Sequence, residues 1–191
     1  MKAVKLMAAL ATLTLALAPA AQAAERTELA NFGAPPKGFK EGFRDMQSGM
    51  IMVELVPKGE TVHNWKRLIT QQSMQGYVAG VDGLRDFMAK GWLGTCPQGD
   101  VMHVTEGEEN GYPFALWQMT CPLNPQTGKP EYTWVKAVQG EEGMYVKQFA
   151  FRYAPSKDEL VAATLNLKKL AVCDGSAAHP CKDGSKRKKR K

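Results

Sequence analysis

Histidine is scarce in this chain of 191 residues: there are three, His63, His103 and His179, and cysteine stops at four. So thin a supply removes the parts that most hydrolytic and metal-dependent schemes require. No G-x-S-x-G, H-E-x-x-H, phosphate-binding loop or dinucleotide fingerprint occurs. Beyond the first two dozen residues no apolar run approaches the roughly 20 residues of a membrane-spanning helix. What is present is ordinary: 44% apolar residues, 23% charged, 18 Gly and 11 Pro. That profile excludes collagen-like, coiled-coil and wholly disordered chains and fits one globular domain.

The net charge of +6 is unevenly distributed. Lys2 and Lys5 lie at the start, and the unbroken run Lys186, Arg187, Lys188, Lys189, Arg190 and Lys191 lies at the end. Between Glu25 and Cys181 there are 16 bases against 18 acids. The body is therefore slightly acidic. A nucleic-acid-binding fold spreads basic charge over one face, so nucleic acid is not the expected partner. Six consecutive cations cannot pack together and are expected to form a disordered tail over 182–191, attracted to an anionic partner or envelope surface.

The first 24 residues have the three parts of a secretory signal peptide. Lys2 and Lys5 form the positive start, Leu6 to Leu17 the apolar stretch, and Ala21-Gln22-Ala23 the small-residue cleavage pattern. Periplasmic or secreted localisation follows as the expectation. In an oxidising compartment four cysteines read as two disulfides. Of the three possible pairings, the local one is expected: Cys96 with Cys121 and Cys173 with Cys181. On a chain-entropy account these closures contribute roughly 3.5 and 2.5 kcal/mol. A metal site from Cys173, His179 and Cys181 competes, but it lacks a fourth ligand and the usual zinc spacing. No metal or cofactor is expected.

Along the chain, residues 25–38 read as a loose arm and 39–172 as a single domain. Strands are expected at 39–46 and 50–56, joined by Gln47-Ser48-Gly49. A helix capped by Thr61 should follow, with Val62, Trp65, Leu68 and Ile69 on one face and His63 and Arg67 on the other. A second helix over 83–91, capped by Asp82, would point Leu84, Phe87 and Met88 inward. Then come strands at 101–105, 114–121, 131–138 and 144–153. They are separated by an acidic turn at 106–111, a Pro-rich loop at 122–130 and a turn at 139–143. The last helix has the clearest signature, the S-x-x-E capping box of Ser156 and Glu159 before the stripe Leu160, Ala163, Leu167, Leu170. Cys173 to Cys181 closes a loop. The order β-β-α-α-β-β-β-β-α gives an α+β fold, an antiparallel sheet of about six strands with helices packed on it.

The segment from Glu54 through Pro57-Lys58-Gly59-Glu60-Thr61 and Asn64-Trp65 to Gln72 resembles the strand-turn-helix of small bacterial exported proteins. It is similar to PsbP/Mog1-like sandwiches, in which a strand leads into a helix carrying a Trp. Gly128 to Lys136 and the capped last helix fit the same pattern. The resemblance implies a sandwich of sheet and helices, and protein-binding roles rather than one chemistry.

Candidate sites are few. His63, with Arg67 beside it on the outward helix face, is the best ligand-facing residue. His103 reads as a packed or cross-strand residue in mid-strand and His179 as a turn residue. Glu108/Glu109 and Glu141/Glu142 are paired carboxylates in turns, where acids are solvated. Tyr145, Phe149 and Phe151 share one strand face with Lys147, to be covered by the last helix. No catalytic residue is identified. These features fit an exported, non-enzymatic binding or accessory protein of the bacterial envelope, its partner an envelope protein or an anionic surface. A small hydrolase and an inhibitor or immunity-type protein are the alternatives, and the oligomeric state stays open. Intact-mass analysis of the exported product should find a first residue at Ala24 or Glu25 and no uptake of a thiol reagent before reduction.

Overall fold

A computed structural model describes residues 28–181. Residues 1–24, expected to be a signal peptide, and the basic run Lys186–Lys191 lie outside the described residues. Seven strands form one antiparallel sheet in the order β2-β3-β4-β8-β7-β6-β5. They span Phe39–Gln47 (β2), Met50–Pro57 (β3), Arg67–Gln75 (β4), Asp100–Glu109 (β5), Tyr112–Asn124 (β6), Lys129–Gln139 (β7) and Gly143–Phe151 (β8). Two short strands, β1 (Leu29–Asn31) and β9 (Ala171–Cys173), pair antiparallel with each other. Helix α1 is Gly80–Thr95 and α2 is Lys157–Leu167. The fold is α+β, as expected, with one more strand in the large sheet.

Side-chain alternation places the helices on opposite faces of this sheet. Met144 and Val146 of β8 pack with Trp117, Val135 and Ala137 against Leu84 of α1. Phe149 and Phe151, of the other parity, pack with Val53, Leu55 and Ile69 against Ala163 and Leu167 of α2. Helix α1 contributes Val81, Leu84, Met88 and Trp92 at helical spacing. Phe87, expected inward, is 73% exposed, and Asp82 lies in the first turn rather than at the cap, which is Ala79.

The largest departure from the sequence reading is at 61–72. No helix forms there: Thr61 to Lys66 is irregular and Arg67–Gln75 is a strand between β3 and β8. Both faces of β4 are covered at this end, so Leu68, Ile69 and Thr70 are buried in succession. A strand buried on both faces loses its alternation, and a short apolar run then mimics a helical stripe. Trp65 is buried at 4% exposure, from the loop rather than from a helix. The strand-turn-helix that carried the resemblance is thus a strand-turn-strand.

Other boundaries shift for identifiable reasons. The expected acidic turn belongs mostly to β5, and the hairpin turn is Asn110-Gly111, with φ of 55° and 80°. Two left-handed residues are what a two-residue hairpin demands, and Asn-Gly supplies them. Strand β6 runs through Pro122 to Asn124 by way of a register shift after Cys121, leaving only a tight turn where a long loop was expected.

The arm is not loose. Beyond the β1–β9 pairing, the buried Glu28 carboxylate accepts hydrogen bonds from the Glu141 N–H (2.9 Å), the Glu142 N–H (3.2 Å) and the Tyr145 hydroxyl (2.8 Å). The carboxylate lies so close to Gly140 that a Cβ there would stand 2.2 Å from Oε2. Behind the arm, Lys136 and Lys147 are direct cross-strand neighbours, exposed at 1% and 0%. Lys147 Nζ donates to the carbonyls of Phe32 (2.6 Å) and Asn166 (2.9 Å). Lys136 Nζ donates to the Leu170 carbonyl (3.0 Å) and to Glu109.

Burial, followed by the charges of Lys169 and Lys136, pushes the Lys147 ammonium down to about 8 from 10.5. Between these values the unfolded chain holds a proton that the folded chain has released, so stability rises with pH across that window. Urea titrations of wild type and Lys147→Met should differ by a constant amount below pH 8. The difference should then grow in favour of wild type up to pH 10.5, by at most roughly 3 kcal/mol. A difference that stayed flat throughout would mean that the ammonium titrates alike in both states.

Candidate functional site

At one end of the large sheet the β3–β4 loop, the start of β7 and the β8–α2 junction enclose a cleft of about 530 Å³. Trp65 and Tyr153 stand in its walls with Lys66, Arg67, Lys129 and Arg152. A second cleft of about 310 Å³ adjoins it, sharing Arg67 and Glu159 and running between β2 and α2 over Phe39, Phe149 and Phe151.

Local chemistry puts each group in place. Glu60 Oε2 accepts from the Lys66 N–H at 2.7 Å and the Arg67 N–H at 3.4 Å, folding the loop back so that both cations stand at the entry to β4. The Arg152 N–H donates to the Lys66 carbonyl at 2.9 Å. The Arg152 guanidinium lies 3.9 Å from the Trp65 ring centroid, a cation–π contact in a partly desolvated setting. Arg67 similarly stands 5.6 Å from the ring of Phe39. Phe149 and Phe151 stack at 5.0 Å, with Phe39 edge-on to Phe149 at 6.0 Å.

The acids of this region are already engaged. Glu60 is held by backbone N–H groups. Glu131 accepts from Asn124 Nδ2 at 3.4 Å and lies 3.9 Å from Arg152 Nε; burial raises its carboxyl above the usual range, opposed by the Arg152 charge. Glu159 accepts the Tyr153 hydroxyl and closes the capping box with the Ser156 N–H (2.9 Å), and these hydrogen bonds hold its carboxyl low. Burial and the Glu159 bond push the Tyr153 phenol up to about 12. Among the described residues Lys66, Arg67 and Lys129 make no ion pair. The net result is a concave basic surface with aromatic walls on a body that is otherwise slightly acidic.

Of the two residues singled out from sequence, Arg67 is in this cleft and His63 is not. His63 is an exposed loop residue whose charge acts on Glu54, while burial raises the Glu54 carboxyl. Their joint placement on one helix face does not exist. The four cysteines form Cys96–Cys121 and Cys173–Cys181, with Cα separations of 5.9 and 5.1 Å. With both sulfurs of the second pair bonded to each other, the Cys173/His179/Cys181 metal reading falls away. His179 instead stacks on Tyr112 at 4.3 Å, with Nδ1 3.3 Å from Asp174 Oδ2. His103 is a cross-strand residue opposite Trp117 rather than a packed one, exposed and 3.5 Å from Arg85 Nη1. Glu109 is paired with buried Lys136, and Glu142 accepts from the Glu28 N–H, so neither carboxylate pair is a simple solvated turn. Tyr145, Phe149 and Phe151 are buried on the α2 side. Lys66, Lys129, Arg152 and Tyr153 were missed. Their trace was the alternation of cations with aromatics in Trp65-Lys66-Arg67 and Phe151-Arg152-Tyr153.

No protein-family model matches this chain, and no curated protein is significantly similar to it. The site therefore rests on its own geometry. Glu159→Ala should cost about 1–2 kcal/mol in urea unfolding, because Ser156 and Tyr153 both lose their acceptor. The double variant Tyr153→Phe/Glu159→Ala should cost less than the two single changes added together.

Proposed function

We propose that this chain is an exported, non-enzymatic binding or accessory protein of the bacterial envelope, and that its partner is anionic. The observation that carries the reading is the convergence of Lys66, Arg67, Lys129 and Arg152 on an aromatic-walled cleft whose acids are occupied by internal hydrogen bonds. Lys66, Arg67 and Lys129, which make no ion pair among the described residues and are held at a concave surface, attract an anion and fix its position through charge-assisted hydrogen bonds. Export to the periplasm or beyond is part of the proposal, supported by the N-terminal sequence pattern and two disulfides. Among the described residues no helix is long and apolar enough to cross a membrane. The run Lys186–Lys191 would add attraction to anionic surfaces, about 1 kcal/mol for each charge near them. A PsbP/Mog1-like sandwich is proposed on the layer order alone, one helix on each face of the sheet.

Co-sedimentation of the mature protein with phosphatidylglycerol vesicles tests this. Retention at low salt should fall at least tenfold in Lys66→Ala/Arg67→Ala/Lys129→Ala, fall further when 182–191 are also removed, and vanish at high salt. Equal retention on neutral phosphatidylcholine vesicles, or by the triple variant, would overturn it.

A further inference from the structure

The cleft over Phe39 contains a polar group that the protein leaves unused. Asn166, on α2, is 3% exposed and lines this cleft, and neither its Oδ1 nor its Nδ2 has a hydrogen-bond partner. A buried carboxamide without partners has lost its hydration and gained nothing in return. Its backbone carbonyl is taken by Lys147, which fixes the main chain here and leaves the side chain to rotate toward a ligand about its own bonds. The unpaired side chain offers one donor group and one acceptor group side by side. The group that satisfies both at once is another amide.

The rest of the cleft is arranged around that amide. Phe39 supplies an aromatic floor. Leu165 of α2 remains 58% exposed at the rim. Arg67 stands where the apolar cleft opens into the basic one. Its planar guanidinium matches a carboxylate in two parallel hydrogen bonds, a geometry a lysine cannot offer. The cleft's volume of about 310 Å³ admits only a small ligand.

Resting on the reading of this region as an anion site, we propose that the apolar cleft binds the free C-terminal end of a short apolar peptide. The terminal carboxylate lies on Arg67, an apolar side chain lies between Phe39 and Leu165, and the last peptide bond pairs with the Asn166 carboxamide. Backbone recognition combined with carboxylate capture is a recurring way to hold a peptide end. A site that leaves a buried amide unpaired discriminates strongly against ligands lacking the matching groups.

Calorimetric titration of the mature protein with N-acetyl-Leu-Leu is the test. The free acid should bind, and its C-terminal carboxamide should bind at least tenfold more weakly. The same weakening is expected for the analogue with an ester in place of the last peptide bond and for laurate, which keeps charge and apolar chain but has no amide. These comparisons need no variant. Asn166→Leu should lower affinity for the free acid at least tenfold while leaving laurate unchanged. Equal binding of acid and carboxamide, of peptide and ester, or of peptide and laurate would overturn the proposal, as would no binding of the free acid. Vesicle retention that still depends on Lys66, Arg67 and Lys129 would in that event leave the anion-binding reading standing.

Discussion

Lys136 and Lys147 face each other across β7 and β8 in the middle of the sheet, where water is excluded. Like charges in directly opposed positions repel, and each buried ammonium forgoes hydration worth several kcal/mol. What offsets this is a set of main-chain carbonyls. That of Asn166 lies in the last turn of α2, where the dipole is negative, and that of Leu170 lies just beyond the helix. A third, from Phe32, belongs to the N-terminal arm. Glu109 adds a countercharge from the far edge strand. Three separate parts of the chain are thereby tied to two ammonium groups, and the position of α2 on its face of the sheet follows from them.

The site inherits this arrangement. Asn166 gives its backbone to Lys147 and its side chain to the cleft, so the same residue is both anchor and wall. On the opposite wall, Phe39 is held by its strand and by its ring contact with Phe149, which β8 positions. At the sheet end, Glu60 and Glu159 act through hydrogen bonds to loop and cap groups. Their carboxylates keep their charge but are directed onto those groups rather than into ion pairs with Lys66, Arg67 or Lys129. The basic character of the cleft thus arises from four cations set against the two carboxylates that line it.

Much of this architecture was visible in the residues. The hairpin strands, the capping box of Ser156 and Glu159 and the local cysteine pairing all depend on neighbours close in sequence, and such patterns survive translation into structure. Strand β4 did not, because burial on two faces erased its period. Strands β1 and β9 did not, because each has three residues and its only partner is the other, at the far end of the domain. Lys147 already stood on the strand face expected to lie under the last helix, but the burial of Lys136 was not legible from pattern, since lysine almost never enters a core without designated acceptors. The site was half legible: Arg67 stood out, but through a helical face that does not form. Lys66, Lys129 and Arg152 are brought together by three different connections, which no short window contains.

The pairing of Leu29 with Cys173 and the docking of Glu28 onto the turn at Glu141 and Glu142 set an order of events. On the proposed route of export, amino end first, β1 reaches the new compartment long before β9 exists there. The leading segment must therefore wait, with a carboxylate and three strand residues uncommitted, until the trailing end arrives. Long-range closure of this kind is the slow step in assembly. During that interval Glu28 and β1 stay unpaired, and once β9 arrives they are sealed into the domain.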